Sequence, residues 1–210
     1  MSFQVSSPLH DLPRASRLPR RWAKRLWVDR RGATAVEFGL VCIPFFALLG
    51  AIIQTAFMMW AGQDLDYALQ KTARALFTGQ FQAANSGQTN TATLLAALKA
   101  NMCGTGAAPT ATVFDCSGVK IDVRLGSSFA GYTPTTIIDP STKDWASGFG
   151  TNYACATPGS IVIATAAVKF PVFFGLLNPG HSNFADGSKL LQSTAVFRTE
   201  PYSSGNPSSC

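Results

Sequence analysis

Between Gly39 and Trp60 the chain reads GLVCIPFFALLGAIIQTAFMMW, a run without a single charge in which only Gln54 and Thr55 are clearly polar. A helix needs roughly 20 such residues to cross the hydrocarbon core of a bilayer, so this stretch predicts one membrane span near the N-terminus. It is longer than the apolar region of a cleaved secretory signal, about 7 to 15 residues, and it runs on into an amphipathic stretch without a convincing small-x-small cleavage site. A buried helix of a soluble core does not ordinarily carry a dense basic flank. Pro44 removes one backbone hydrogen bond inside the run and predicts a kink that a membrane helix absorbs locally. Trp60 at the far end, and Trp22 and Trp27 upstream, suit the headgroup level, where an amphipathic ring sits well.

The formal net charge of +6 resembles a nucleic-acid footprint until it is located. Residues 1–32 hold eight basic residues (Arg14, Arg17, Arg20, Arg21, Lys24, Arg25, Arg30, Arg31) against Asp11 and Asp29, and residues 33–210 sum to zero. The whole excess precedes the apolar run. A basic flank there is retained on the cytoplasmic side, which sends the neutral remainder across the membrane and argues against nucleic-acid binding. The division expected is a basic cytoplasmic leader over 1–32, a transmembrane helix over 33–62 and an extracytoplasmic domain over 63–210.

The junction reads Arg30-Arg31-Gly32-Ala33-Thr34-Ala35-Val36-Glu37-Phe38, and Glu37 is its anomaly. An acidic side chain costs about 2.5 to 3.5 kcal/mol at the centre of a membrane helix and less near its end, and such residues are functional by default. The plainer reading is that Glu37 snorkels to the interface beside Arg30 or Arg31. Basic residues, then Gly32, then a small residue, then an acid at the fifth position after the glycine resemble the processing site of type IV prepilins. The ending Glu37-Phe38 narrows the likeness to the TadE-like family, pilin-like proteins associated with tight-adherence (Flp) pilus assembly.

That resemblance implies that a membrane-embedded aspartyl prepilin peptidase cuts between Gly32 and Ala33 and removes the leader. Gly32 then supplies an unhindered backbone that a protease binds in extended form. It further implies that Glu37 pairs with the new amine of Ala33 on a neighbouring subunit, each charge offsetting the cost of burying the other. Two further stretches carry the likeness. Leu65 to Gln80, with Ala73-Arg74 and Thr78-Gly79-Gln80, is similar to the family's post-membrane helix. Glu200-Pro201-Tyr202 resembles its closing strand, although Thr199 stands where an Asn is common. The implied architecture is α+β and pilin-like, a long N-terminal helix packed on a small antiparallel sheet.

Periodicity describes the exported part independently. Leu65, Ala68, Leu69, Thr72, Ala73 and Leu76 recur at helical spacing, so the membrane helix continues into the domain, with Gly79 as a stop. Residues 83–91 read as a loop and 91–102 as a second helix. Ile121, Val123 and Leu125 alternate with Lys120, Asp122 and Arg124 as in a half-buried strand; Val162, Ala164, Ala166, Val168 and Phe170 line one face of a second, and 195–200 is a shorter third. Residues 126–156, rich in Gly, Ser, Thr and Pro, read as an irregular insertion without strands.

Cys42 lies in the span as a small apolar residue, leaving Cys103, Cys116, Cys155 and Cys210 on the exported side. In an oxidising compartment they are expected to form two disulfides, Cys103 with Cys116 and Cys155 with Cys210, although four cysteines allow three pairings and free thiols are the plainer alternative. The only histidines are His10 and His181. His181, Ser182 and Asp186 are too close in one loop to converge as a triad, and Gly104-Thr105-Gly106 reads as a turn. No zinc, nucleotide or phosphate motif is present, so neither cofactor nor metal is expected, and the chain reads as no enzyme.

The leading reading is a non-enzymatic minor pilin or pseudopilin, anchored once in a bacterial inner membrane with its domain periplasmic or extracellular. Its partners are a prepilin peptidase, other pilin-like subunits with their assembly machinery, and membrane lipid. The rival is an uncleaved, signal-anchored envelope protein whose β-rich domain binds a ligand. A membrane-tethered enzyme lacks a catalytic set.

Overall fold

The computed structural model describes residues 32–106, 108–130, 134–175 and 183–202, and the chain divides into two compact units, Met1–Phe46 and Ala47–Cys210. Helix α1, Ala33–Phe77, belongs to both and stays α-helical through Pro44. In the first unit every described residue is exposed except Gly39 and Cys42, which are half-buried. No described residue of that unit therefore covers Phe38, Leu40, Ile43 or Phe46.

In the second unit the helix changes character. Ala61, Leu65, Ala68, Leu69, Thr72, Ala73 and Leu76 are buried, at the spacing that puts one stripe of the cylinder against a core. Thr72 is tolerated inside because its hydroxyl donates to the Ala68 carbonyl at 3.0 Å. Each of the fully buried leucines contributes about 1.5 to 3 kcal/mol of hydrophobic stabilisation, enough for a few of them to hold the helix in place. Two carboxylates just past the apolar run fix its position. Asp64 accepts the backbone N–H of Val113 at 2.8 Å, and Asp66 accepts the hydroxyl of Ser193.

Helix α1 ends at Phe77, and Gly79 follows at φ 75, a left-handed conformation that costs glycine nothing. The stop is where the sequence put it, but the chain re-enters a helix at once: α2, Gln80–Ala84, occupies the start of the stretch read as a loop. Helix α3, Thr91–Cys103, is capped by Asn90, whose side chain accepts from Ala92 N at 2.9 Å and Thr93 N at 3.2 Å. Beyond it, β1 (Gly104–Thr105) pairs with β2 (Ala108–Pro109), and Cys103 is disulfide-bonded to Cys116 at the head of a 3-10 turn, Cys116–Gly118.

The main sheet is antiparallel with β6 in the centre: β3 (Lys120–Gly126), β6 (Ile161–Phe170) and β7 (Lys189–Arg198). Its register pairs Val123 with Ala164 and Ala164 with Ala195. Ile121, Val123, Val162, Ala164, Ala166 and Val168 meet Leu65, Leu69 and Leu76 of α1 and Leu94 and Leu98 of α3 in one core. The α+β arrangement of a long helix on a small antiparallel sheet is thus the observed one.

Three local readings are corrected. The third strand is 189–198, not 195–200, because its first half does not alternate: Ser193 faces the helix, satisfied by Asp66, while Leu190 packs on the opposite side of the sheet. The stretch 126–156 is not free of strands. It contains β4 (Ile138–Asp139) paired with β5 (Asp144–Trp145), and Ile137 and Phe149 from it bury Ala167 on the outer face of β6. Trp145 stacks on Phe149 and takes Lys120 over its ring at 5.1 Å. The same segment reaches the free edge of β3, where Val123 N donates to Asn152 O at 2.9 Å and Ala154 N to Val123 O at 2.8 Å.

The third correction concerns the alternation in β3. Leu125 is exposed, and Asp122, expected on a solvent face, is 1% exposed. The folded-back insertion makes that possible by supplying donors. Asp122 accepts from Arg124 Nε at 2.6 Å, Gly150 N at 3.3 Å, and the backbone and side-chain nitrogens of Asn152 at 3.1 and 3.0 Å. A carboxylate so surrounded is buried without being orphaned.

Two stability predictions follow from these contacts, each read by chemical denaturation of the detergent-solubilised chain. Asp122→Ala strands four donors and is expected to lose about 3 kcal/mol, the scale for breaking a buried charge pair; a loss within experimental error contradicts the role given to this carboxylate. A Cβ at Gly79 would sit 2.5 Å from the Tyr202 ring at a φ hostile to side chains, so Gly79→Ala is expected to cost more than about 1 kcal/mol.

Candidate functional site

The residues singled out at the junction open helix α1. Gly32 immediately precedes it and Ala33 is its first residue. A side chain built on Gly32 meets nothing within 4 Å and the residue has no left-handed φ, so neither packing nor backbone strain in this chain demands a glycine there. Glu37 lies one turn beyond Ala33 on the same helix face, since residues four apart are neighbours on the surface. It is exposed, and its carboxylate has neither an ion pair nor a hydrogen bond among the described residues. Phe38 beside it is 72% exposed.

Such a segment offers one acidic group, a glycine backbone with no neighbouring atom against it and an apolar cylinder. Arg30 and Arg31 lie outside the described residues, as does the rest of the basic leader.

Two polar groups of the apolar run are bonded inside the chain. Thr55 donates to the Ala51 carbonyl at 2.9 Å, and Gln54 Oε1 accepts the backbone N–H of Phe174 at 2.7 Å. Both would otherwise be costly in an apolar medium.

Of the cysteines beyond the apolar run, Cys103 and Cys116 are bonded to one another, and Cys155 is disulfide-bonded as well. Cys210, expected to partner it, lies outside the described residues. Cys42 is a free thiol. His181 and Ser182 also fall outside the described residues. Asp186 is committed elsewhere: the hydroxyl and backbone N–H of Ser188, together with Lys169 at 3.0 Å, hold its carboxyl down at about 2. Among the described residues no cluster of three or more His, Cys, Asp or Glu side chains is placed to hold a metal ion.

One constellation escaped the sequence. Thr78-Gly79-Gln80 and Glu200-Pro201-Tyr202, far apart in the chain, meet in space. Glu200 N donates to the Phe77 carbonyl at 3.0 Å, the Tyr202 ring lies over Gly79, and the Tyr202 hydroxyl donates to Ala156 O. Gln82 Nε2 bonds the same Ala156 carbonyl at 3.1 Å and the Leu76 carbonyl at 3.2 Å. The C-terminal motif thus clamps the end of the long helix. Both halves were visible as motifs, but nothing in their spacing says that they touch.

Comparison with known proteins finds a family model at the site and nothing beyond it. Residues 32–74 match the family described as TadE-like protein. No curated protein and no solved structure matches the chain. The match starts at Gly32, includes the whole apolar run and ends at Arg74, within the part of α1 that packs on the sheet.

Because Gly32 and Glu37 have no packing role here, Gly32→Ala and Glu37→Ala are expected to leave the unfolding free energy of the solubilised chain within about 0.5 kcal/mol of the parent, as for surface substitutions generally. A loss well above that value assigns them a structural role instead.

Proposed function

We infer from the TadE-like segment at residues 32–74 that this chain is a pilus-related structural protein, and we propose that it acts as a minor pilin or pseudopilin of tight-adherence (Flp) pilus assembly. The single observation that carries the finer proposal is the contrast along helix α1. One stripe of its distal half packs within the chain, whereas its first turns carry exposed apolar side chains and a carboxylate with no partner among the described residues. Such a surface is suited to an outside partner.

In this reading residues 1–32 are a cytoplasmic leader, residues 33–62 span the inner membrane once, and residues 63–210 form the domain on the far side. A prepilin peptidase binds the backbone around Gly32 and hydrolyses the Gly32–Ala33 bond. The amine released on Ala33 is cationic at neutral pH. Glu37 of an adjacent subunit then pairs with that amine while the apolar cylinders pack together. In a water-poor environment each charge makes the other tolerable, and only one axial offset lets them meet, so the pair sets register. The peptidase contributes the catalysis; this chain contributes a substrate bond and a packing helix.

Processing and assembly separate experimentally. The mature protein isolated from membranes of cells carrying the peptidase is expected to begin at Ala33, and Gly32→Ala to accumulate as full-length precursor. Glu37→Ala is expected to be cleaved normally yet fail to co-purify with pilin-like subunits. Full retention of the leader in the parent chain, with activity of the system intact, defeats the proposal in favour of an uncleaved anchor.

A further inference from the structure

The loop that leaves β6, Pro171 to Gly175, turns back against helix α1 at a place no polar loop should choose. Its Phe174 N–H donates to Gln54 Oε1 at 2.7 Å, and the Phe174 ring lies over Gly50, where a Cβ would come within 3.1 Å of the ring. Gln54 and Gly50 precede Trp60 by six and ten residues. At about 1.5 Å of rise per residue the two attachment points lie roughly 9 and 15 Å from Trp60 along the helix, on its apolar side. A tryptophan at the end of a span sits at headgroup level. The polar interfacial layer is only about 5 to 7 Å deep on each side of the hydrocarbon. The loop is therefore tied to the helix at the depth of the upper acyl chains.

Its chemistry suits that depth. Phe173 is 71% exposed and Phe174 45%, and beside them Ile53 and Phe57 of α1 are exposed as well. An open groove of about 740 Å³ runs between these residues, Phe114 and Phe170, with Asp115 the one charged residue lining it. Between Lys169 and Asp186 the sequence has no Asp, Glu, Lys or Arg. The bond to Gln54 also removes one backbone donor from the loop's need for water, and it removes the amide oxygen of Gln54 from the same need.

We propose that Pro171–Gly175 is a membrane-inserting loop, seating Phe173 and Phe174 among the acyl chains of the leaflet on the domain's side, next to helix α1. The domain is then held to the lipid surface at a second point, which limits rotation about the helix axis. Insertion of about 5 to 10 Å is the depth that amphipathic interfacial segments reach. The proposal rests on the reading of α1 as a membrane span, so its test carries a separate control for that reading.

The full chain is purified in detergent and reconstituted into phosphatidylethanolamine and phosphatidylglycerol vesicles at two protein-to-lipid ratios. Nitroxide labels are placed singly on native Cys42, and on Phe173→Cys and Thr142→Cys in a Cys42→Ser background. Phe173 and Thr142 are both exposed, so neither change disturbs the core. Collision with oxygen, which concentrates in lipid, is compared with collision with a water-soluble nickel chelate. The label at 173 is expected to favour oxygen, as at Cys42, and the label at 142 to favour nickel, at both ratios. A nickel preference at 173 with an oxygen preference at Cys42 overturns the loop's insertion while leaving the span standing. A nickel preference at both overturns the span and the loop together. Protection of 173 from both reagents that is lost on dilution with lipid assigns the face to a second copy of the chain and overturns insertion.

Discussion

One helix has to serve two environments on a single backbone, and the rest of the structure depends on how that is done. From Phe38 to Trp60 its surface carries no charge and is almost wholly apolar, which suits a medium without hydrogen bonds. Beyond Ala61 only one stripe remains apolar, which suits a domain in water. The change takes place within about one turn. Asp64 and Asp66 mark it, and both are bonded to the domain, one through the Val113 backbone and the other through Ser193 of the sheet. The two carboxylates thereby hold the sheet in register with the helix.

The domain closes around this helix with devices that share a physical logic. Buried polar groups are admitted where a folded-back segment brings their partners. Asp122 is buried because residues 150–152 come over it with nitrogens to donate, and those same residues pair with the edge of β3. Tyr202 and Gln82 converge on the Ala156 carbonyl and lock the helix terminus to the segment leading into β6. Where such partners are supplied, the outer face of β6 is covered too, by Phe149 and Ile137, so the central strand is shielded on both sides.

Against that background the junction stands out because its neighbours do not explain it. Gly79 has a φ and a ring that require a glycine; Gly32 has neither. Asp122 has four donors; Glu37 has none among the described residues. Neither the glycine nor the carboxylate has a packing partner among the described residues, and the TadE-like match begins at that glycine.

Much of the architecture was legible from residues alone, because the signals are local. A long uncharged apolar run declares a helix, a stripe recurring at helical spacing declares its continuation, and strict alternation declares strands such as 161–170. The junction was legible for the same reason, as a short linear pattern, and the TadE-like match begins at its glycine. Only the tertiary structure decided which polar side chains were inside. Asp122 and Ser193 occupy positions whose pattern reads as solvent, and their burial depends on Asn152 and Asp66, partners that no spacing rule connects to them. The first half of β7, the strands within 126–156 and the meeting of Gly79 with Tyr202 were hidden likewise. Hydrophobic periodicity is set by a segment's own geometry, whereas the satisfaction of a buried polar group is set by whatever chain happens to fold across it.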